Sequence, residues 1–261
     1  MGDSNLLALA SEAGRYLITR GVAEQGGIKW APSDSWGQYM PNFSHGTAGV
    51  SYFLATLYQK TGDKRFLEAS LAGAKYLLAV ADTEGNSCKI FHHEPGGKDL
   101  YYYGWCHGPP GTVRLFLRLY EVTQQEVWKQ WMLKAANAVM ASGIPAKQLP
   151  GFWNNVSLCC GTASVALFNL EMYRLTGDKK YWNFARVMAD DLVRRATPVA
   201  DGGYKWIQAE NRVSPNQLIA QTGLMQGAAG IGIVLLEMDA AEHGTKLHLE
   251  LPDDPFVGSG K

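Results

Sequence analysis

The stretch that decides the fold is "CCGTASVALFNLEMYRLTGD", residues 159–178, because its pattern returns elsewhere in the chain. "SHGTAGVSYFLATLYQKTGD" fills 44–63, "CHGPPGTVRLFLRLYEVTQQ" fills 106–125 and "MQGAAGIGIVLLEMDAAEHG" fills 225–244. Each copy has glycine in third place, followed by small residues. These glycines, Gly46, Gly108, Gly161 and Gly227, stand 62, 53 and 66 residues apart. The internal register is tighter than the spacing. Twelve residues after the first three glycines come Tyr58, Tyr120 and Tyr173, and three later come Thr61, Thr123 and Thr176. Agreement at matched offsets is the mark of a repeat, and it governs the rest of the reading.

Each copy reads as the first half of a helical hairpin. Val50, Phe53, Leu54, Leu57 and Tyr58 recur at helical spacing, as do Val165, Leu167, Phe168, Leu170 and Tyr173. "TGD" then supplies a stopping glycine and offers Asp63 or Asp178 as the next N-cap. A more polar helix follows each time: "KRFLEASLAGAKYLLAVA", "EVWKQWMLKAANAVMASG" and "KKYWNFARVMADDLVRRA". "NLLALASEAGRYLITRG" at 5–21 has the same character, so residues 1–21 read as the second helix of a truncated first hairpin. Long loops such as "GNSCKIFHHEPGGKDLYYYGW" and "ADGGYKWIQAENRVSPNQLIA" have room for short strands. Repeated hairpins stack into a solenoid or close into a ring. The expectation is all-α, an α/α toroid formed by residues 1–261 as one domain. About eight helices fall short of the six or seven hairpins such rings use, which reads as a C-terminal portion or a shortened form.

Composition narrows the function. Of 261 residues, 46% are apolar, enough for a sizeable core. Lys plus Arg equals Asp plus Glu at 24 each, so net charge gives no argument for nucleic acid or an anionic membrane. No apolar run reaches the length of a membrane span. The N-terminus lacks a secretory pattern, and "MGDSNL" has Leu6 where a myristoylation signal has Ser or Thr. Four cysteines make no disulfide framework, and a cytoplasmic, reducing location is expected.

If the glycines open equivalent helices, the residues before them gather at one end: His45, Cys106 with His107, Cys159 with Cys160, and Gln226. Adjacent cysteines admit three readings: a strained redox pair, a piece of buried core, or metal ligands. Helix N-termini, with their free N–H groups and positive dipole, favour thiolate. Three cysteines and two histidines at one mouth suit a zinc site with an open fourth position. Cys88 has no such neighbours, and His92-His93-Glu94 sit in a Pro/Gly loop off the helical register. Tyr101, Tyr102, Tyr103 and Trp153 read as packing between layers or the wall of a peptide groove.

"SHGTAG", "GWCHGPPG", "SLCCGTAS", "TGLMQGAAGIGIVLLEM" and "LPDDPF" together resemble the successive motifs of the lanthionine synthetase C-like (LanC-like) family, over roughly 42–256. The resemblance implies an α/α toroid around one zinc. By position it assigns Cys106, Cys159 and Cys160 as ligands, with Cys160 where the family usually has His. That substitution is similar to the CCG type found in the cyclase domains of two-function lanthipeptide synthetases, where three cysteines hold the metal. A third thiolate leaves the metal a weaker Lewis acid and a substrate thiolate a better nucleophile.

The implied reaction is Michael addition of a peptide cysteine to dehydroalanine or dehydrobutyrine in a lanthipeptide precursor. His45 matches the family histidine implicated in acid/base work, and His107 follows the first ligand. The position four before Cys106, where the family tends to carry Arg, holds Tyr102. The implied partner is a dehydrated precursor peptide or a small thiol, with a dehydratase or kinase-like domain or partner. Two other functions compete: addition of glutathione to dehydroamino acids, and a degenerate toroid that only binds peptide. A carbohydrate-active barrel would need paired acids at the helix mouths, where this chain has Cys and His.

Overall fold

The computed structural model describes residues 4–245, 247 and 254–256. The first three residues of "MGDSNL" and the Leu251–Asp253 part of "LPDDPF" lie outside them. In order, the elements are α1 (Ser4–Arg20), β1 (Val22–Glu24), β2 (Gly27–Lys29), α2 (Thr47–Thr61), α3 (Lys64–Val80), β3 (Asp82–Glu84), β4 (Ser87–Lys89), α4 (Pro109–Thr123), α5 (Glu126–Ala141), α6 (Thr162–Thr176), α7 (Lys179–Arg194), β5 (Thr197–Pro198), β6 (Tyr204–Lys205), β7 (Gln208–Ala209), β8 (Leu218–Ile219) and α8 (Ala228–Glu242). The eight helices among the described residues follow the segments that periodicity marks out. The strands pair only as local antiparallel hairpins, β1 with β2, β3 with β4, β5 with β6 and β7 with β8.

The tyrosine–threonine register has a physical cause at the helix stops. Gly62 and Gly177 take left-handed backbone (φ 72° and 70°) and donate to the carbonyls of Tyr58 and Tyr173 at 2.8 and 2.7 Å. Thr61 and Thr176 donate back to Leu57 and Met172 and accept the N–H of Asp63 and Asp178. Asp63 and Asp178 then accept from Arg65 and Lys180, capping α3 and α7. The copy ending in Gln repeats the device without glycine. Gln124 sits at φ 56° and donates to Tyr120, while Thr123 accepts from Gln125.

The helix starts are built from backbone. A Cβ on Gly46, Gly108, Gly161 or Gly227 would come within 1.6 to 2.6 Å of the carbonyl oxygen six residues earlier, that of Met40, Tyr102, Asn155 or Gln221. In three of these turns the wrapping loop also caps the helix. Thr47 and Ala48 donate to Met40 and Pro41, Thr162 and Ala163 to Asn155 and Val156, Ala228 and Ala229 to Gln221 and Thr222. No side chain caps α2, α6 or α8. This corrects the expectation of free N–H groups there: the first donors are satisfied by loop carbonyls.

The chain divides into two compact units: Met1–Tyr101 with Gly111–Ala135, and Tyr102–Pro110 with Ala136–Lys261. In the first, α2 packs on α3, and Trp30, Leu54, Leu57, Phe66 and Ala69 form a core that α1 covers through Ala10 and Ile18. Gly14 lets α1 approach, since a Cβ there would meet Leu57 at 2.4 Å and Phe66 at 2.8 Å. Lys29, beside this core, bonds Glu94 at 2.8 Å, and Glu94 also accepts from Tyr76 at 2.8 Å and pairs with Lys98. In the second, α6 packs on α7 and both touch α8. Arg174 of α6 there joins the buried Glu171 and Glu237, each at 2.6 Å. No helix among the described residues is long and apolar enough to cross a membrane.

Candidate metal centre

Backbone hydrogen bonds bring three helix mouths of the second unit together. Cys106 N–H donates to the Cys159 carbonyl at 3.1 Å, and Cys159 N–H donates to the Met225 carbonyl at 2.8 Å. Cys160 is fixed by its own N–H, which donates to Ser157 Oγ at 3.2 Å, and Ser157 is held in turn by Asn155 Oδ1. The loop before α4 crosses Cys160 through Gly104, whose missing Cβ would lie 2.6 Å from the Cys160 backbone. Hence the glycine in "YGWC". Gln208 locks the next loop by donating to the Gln226 carbonyl at 2.5 Å and accepting from Val156 N–H at 2.8 Å.

The result is a thiol cluster. Cys106 Sγ lies 3.1 Å from Cys160 Sγ, and Cys160 Sγ lies 3.3 Å from Cys159 Sγ. All three sulfurs fall within 4.8 Å of one another, and none is in a disulfide. A disulfide needs about 2.05 Å, so the strained redox pair is not what forms. Hydrogen bonds to Cys159 and Cys160, reinforced by burial, push the Cys106 thiol well up. Cys160 is also raised: its bond to Cys106 pulls down, but its bond to Cys159 and its burial outweigh that.

Neutral thiols crowded this way are what a cation would reorganise. Sulfurs tetrahedrally bound to one zinc at about 2.3 Å lie about 3.8 Å apart, so Cys160 would open by about half an ångström from each neighbour to take such an ion. Three soft donors, partly buried and without disulfides, fit a metal ion with a fourth position left over. The cluster could hold one.

His107 lies in the same unit, buried and edge-on to Tyr102 with ring centroids 5.8 Å apart. Tyr102 also meets Trp153 at 5.2 Å and accepts a hydrogen bond from Arg212 Nε at 3.1 Å. Arg212 escaped the sequence reading because it lies 110 residues from Tyr102, in a loop without helical register. His45 belongs to the first unit, exposed at the start of α2 and stacked on Trp36. Cys88 is buried in β4, and burial pushes its thiol up to about 12, which suits an inert core sulfur. His92 and His93 bring their Nδ1 atoms to 2.8 Å of each other, half-buried in the first unit.

The family model for "Lanthionine synthetase C-like protein" matches residues 4–249. The chain belongs to the lanthionine synthetase C-like family. Among curated relatives, glutathione S-transferase LANCL1 of Danio rerio is 24% identical over 147 residues, 56% of this chain. That match spans about a third of the relative's length, 34%. Among solved structures, nisin cyclase aligns over 94% of this LanC-like chain and 59% of its own, with TM-score 0.61 and 16% identity. The Lin0763 protein of Listeria innocua aligns over 96% of this chain and 69% of its own, with TM-score 0.59 and 15% identity. The fold class is thus all-α, the α/α toroid of repeated helical hairpins expected from the sequence. The GH76 alpha-mannanase BT2949 of Bacteroides thetaiotaomicron shares it at TM-score 0.52 and 11% identity, over 93% of this chain and 64% of its own. That likeness is of fold alone, since the mouths of the second unit carry thiols.

Proposed function

We propose that this LanC-like chain is a zinc-dependent enzyme that forms carbon–sulfur bonds, joining a cysteine thiol to dehydroalanine or dehydrobutyrine in a dehydrated lanthipeptide precursor. The observation that carries the reading is the convergence of Cys106, Cys159 and Cys160. Cys106, Cys159 and Cys160 would hold the zinc, which would supply Lewis acidity that lowers the pKa of a substrate thiol. Three protein donors would leave one of zinc's usual four positions for that thiol.

The proton count assigns work to the histidines. The substrate thiol loses a proton, its sulfur bonds the β-carbon, and the carbon–carbon π pair moves onto the α-carbon and its carbonyl. One proton must then reach the α-carbon, so no net proton is gained or lost. We assign this shuttle to His45 and His107 as the general acid–base pair. The burial of His107 beside the ligand Cys106 supports its part. On the same reading residues 1–261 work as one LanC-like domain in the cytoplasm.

A second reading has one observation behind it, the curated relative named as a glutathione S-transferase. There glutathione replaces the peptide cysteine and the bond chemistry is unchanged. A toroid that only binds peptide would have no use for three converging thiols. The test is incubation of the zinc-loaded chain with a dehydrated peptide carrying one cysteine, with and without glutathione. Thiol loss without mass change, a ring, is the expected product. Addition of glutathione alone supports the second reading, and no carbon–sulfur bond from either thiol contradicts both.

A further inference from the structure

In each complete hairpin a glycine-started helix packs on a more polar companion, α2 on α3 and α6 on α7. Among the described residues two helices lack that arrangement. α1 is a companion with no glycine-started helix before it, and α8 is glycine-started with no companion behind it. The repeat register identifies the faces concerned. On α2, Ser51 marks the side toward α3: its carbonyl accepts from Ser70 at 2.7 Å, and a Cβ on Gly73 would lie 2.0 Å from its Oγ. Ala48, Ser51 and Ala55 along that side are all 0% exposed, as are their counterparts Ala163, Ala166 and Leu170 on α6. Counted from Gly227, the same positions on α8 are Ala229, Gly232 and Leu236. There Ala229 is exposed, a Cβ on Gly232 would meet nothing within 4 Å, and Leu236 is 57% exposed.

α1 shows the other half of the same packing. α1 and α3 lead into matching strand hairpins whose first residues, Val22 and Asp82, stand 60 residues apart. Leu9, Ala13 and Tyr16 therefore correspond to Ala69, Gly73 and Tyr76, which are buried. Yet Leu9 and Tyr16 are 62% and 61% exposed, and Ala13 is exposed as well. The two stripes also suit each other in size. Where Gly73 meets Ser51 in the complete hairpin, the corresponding pair is Ala13 and Gly232, with the bulk on the opposite side. Apolar residues surround α8 on every side, a pattern that belongs to a covered helix.

We propose that a second copy of this chain supplies the cover, with α1 of one protomer packing along α8 of another as α3 packs along α2. The contact is head to tail, because each copy offers one α1 stripe and one α8 stripe. A copy is the occupant that the repeat itself specifies, since one chain carries an uncovered half of each kind. Burial of Leu9, Ala13 and Tyr16 against Ala229, Gly232 and Leu236 drives the association. The inference stands apart from the chemistry proposed for the cysteine cluster.

Sedimentation velocity of the full chain across a range of concentrations tests it. Wild type should self-associate, and Leu9→Glu and Leu236→Glu should each weaken that by about 100-fold or more, since each buries a charge at the contact. Both positions are exposed in the single chain, so the circular dichroism and urea midpoint of each variant should match wild type. Mixed together, the two variants should form a one-to-one pair, because the α8 of Leu9→Glu and the α1 of Leu236→Glu are both intact. A wild type that stays a single chain at every concentration overturns the proposal and leaves the stripes to a different partner. Loss of association in one variant but not the other would mean that like faces pair, and overturns it too. So does a mixture that stays monomeric.

Discussion

Gly161 and Glu94 show how far single residues can be read. The glycine before each repeated helix is plain in the sequence, yet its reason is not. The atom it must clear is a backbone carbonyl six residues upstream, carried by Met40, Tyr102, Asn155 or Gln221, which follow no single residue type. In the sequence Glu94 belongs to a His-His-Glu run that reads as rim residues in a loop off the helical register. It proves to be the centre of a network with Lys29, Tyr76 and Lys98, because β2, α3 and its own loop meet there. Burial pushes the Glu94 carboxyl up, but hydrogen bonds from Lys29, Tyr76 and Lys98 win and hold it below the usual carboxylate range. Burial likewise pulls Lys29 down, but Glu94 and Glu24 hold it above its usual value. A depressed acid stabilises the fold above its unfolded pKa and loses that as pH falls through its folded one; a raised lysine does so below its unfolded pKa and loses it as pH rises. Both contributions are therefore present at pH 7. Glu94→Gln should cost about 3 kcal/mol there by urea unfolding, and the gap to wild type should shrink below about pH 4. A gap that widens in acid would contradict this.

At the scale of elements, α2 and α6 were the most legible because three signals agree on them: apolar period, the tyrosine–threonine register and the glycine stop. Their boundaries follow from the hydrogen bonds behind those signals. The strands were legible only as a possibility, since two- or three-residue hairpins have too few alternations to show a period. The copy that departs from the pattern is informative. Gln124 holds left-handed backbone where Gly62 and Gly177 sit in the sister helices, and its side chain donates to Glu121 as partial compensation. Gln124→Gly should therefore stabilise the fold by roughly 0.5–1 kcal/mol, read as a higher urea midpoint at unchanged slope. A lower midpoint would mean that the Glu121 bond outweighs the backbone strain.

For the molecule as a whole, register alone located the cysteines. It made Cys106 and Cys159 equivalent residues, with Cys160 one place nearer its glycine, and the second unit brings the three to within 4.8 Å. It gave no view of Arg212 or Gln208, because loops have no period to read, and those residues set what surrounds the sulfurs. The same register made His45 equivalent to Cys160, and its catalytic part remains a proposal beside that of His107. Family membership and a thiol cluster that could hold a metal support the proposal that Cys106, Cys159 and Cys160 bind a single zinc. Elemental analysis of the purified chain, beside Cys160→His and Cys160→Ala, tests it directly. One zinc per chain is expected, kept by Cys160→His, which preserves three donors, and lost from Cys160→Ala. A wild-type chain purified without zinc that takes up none when zinc is supplied would contradict it.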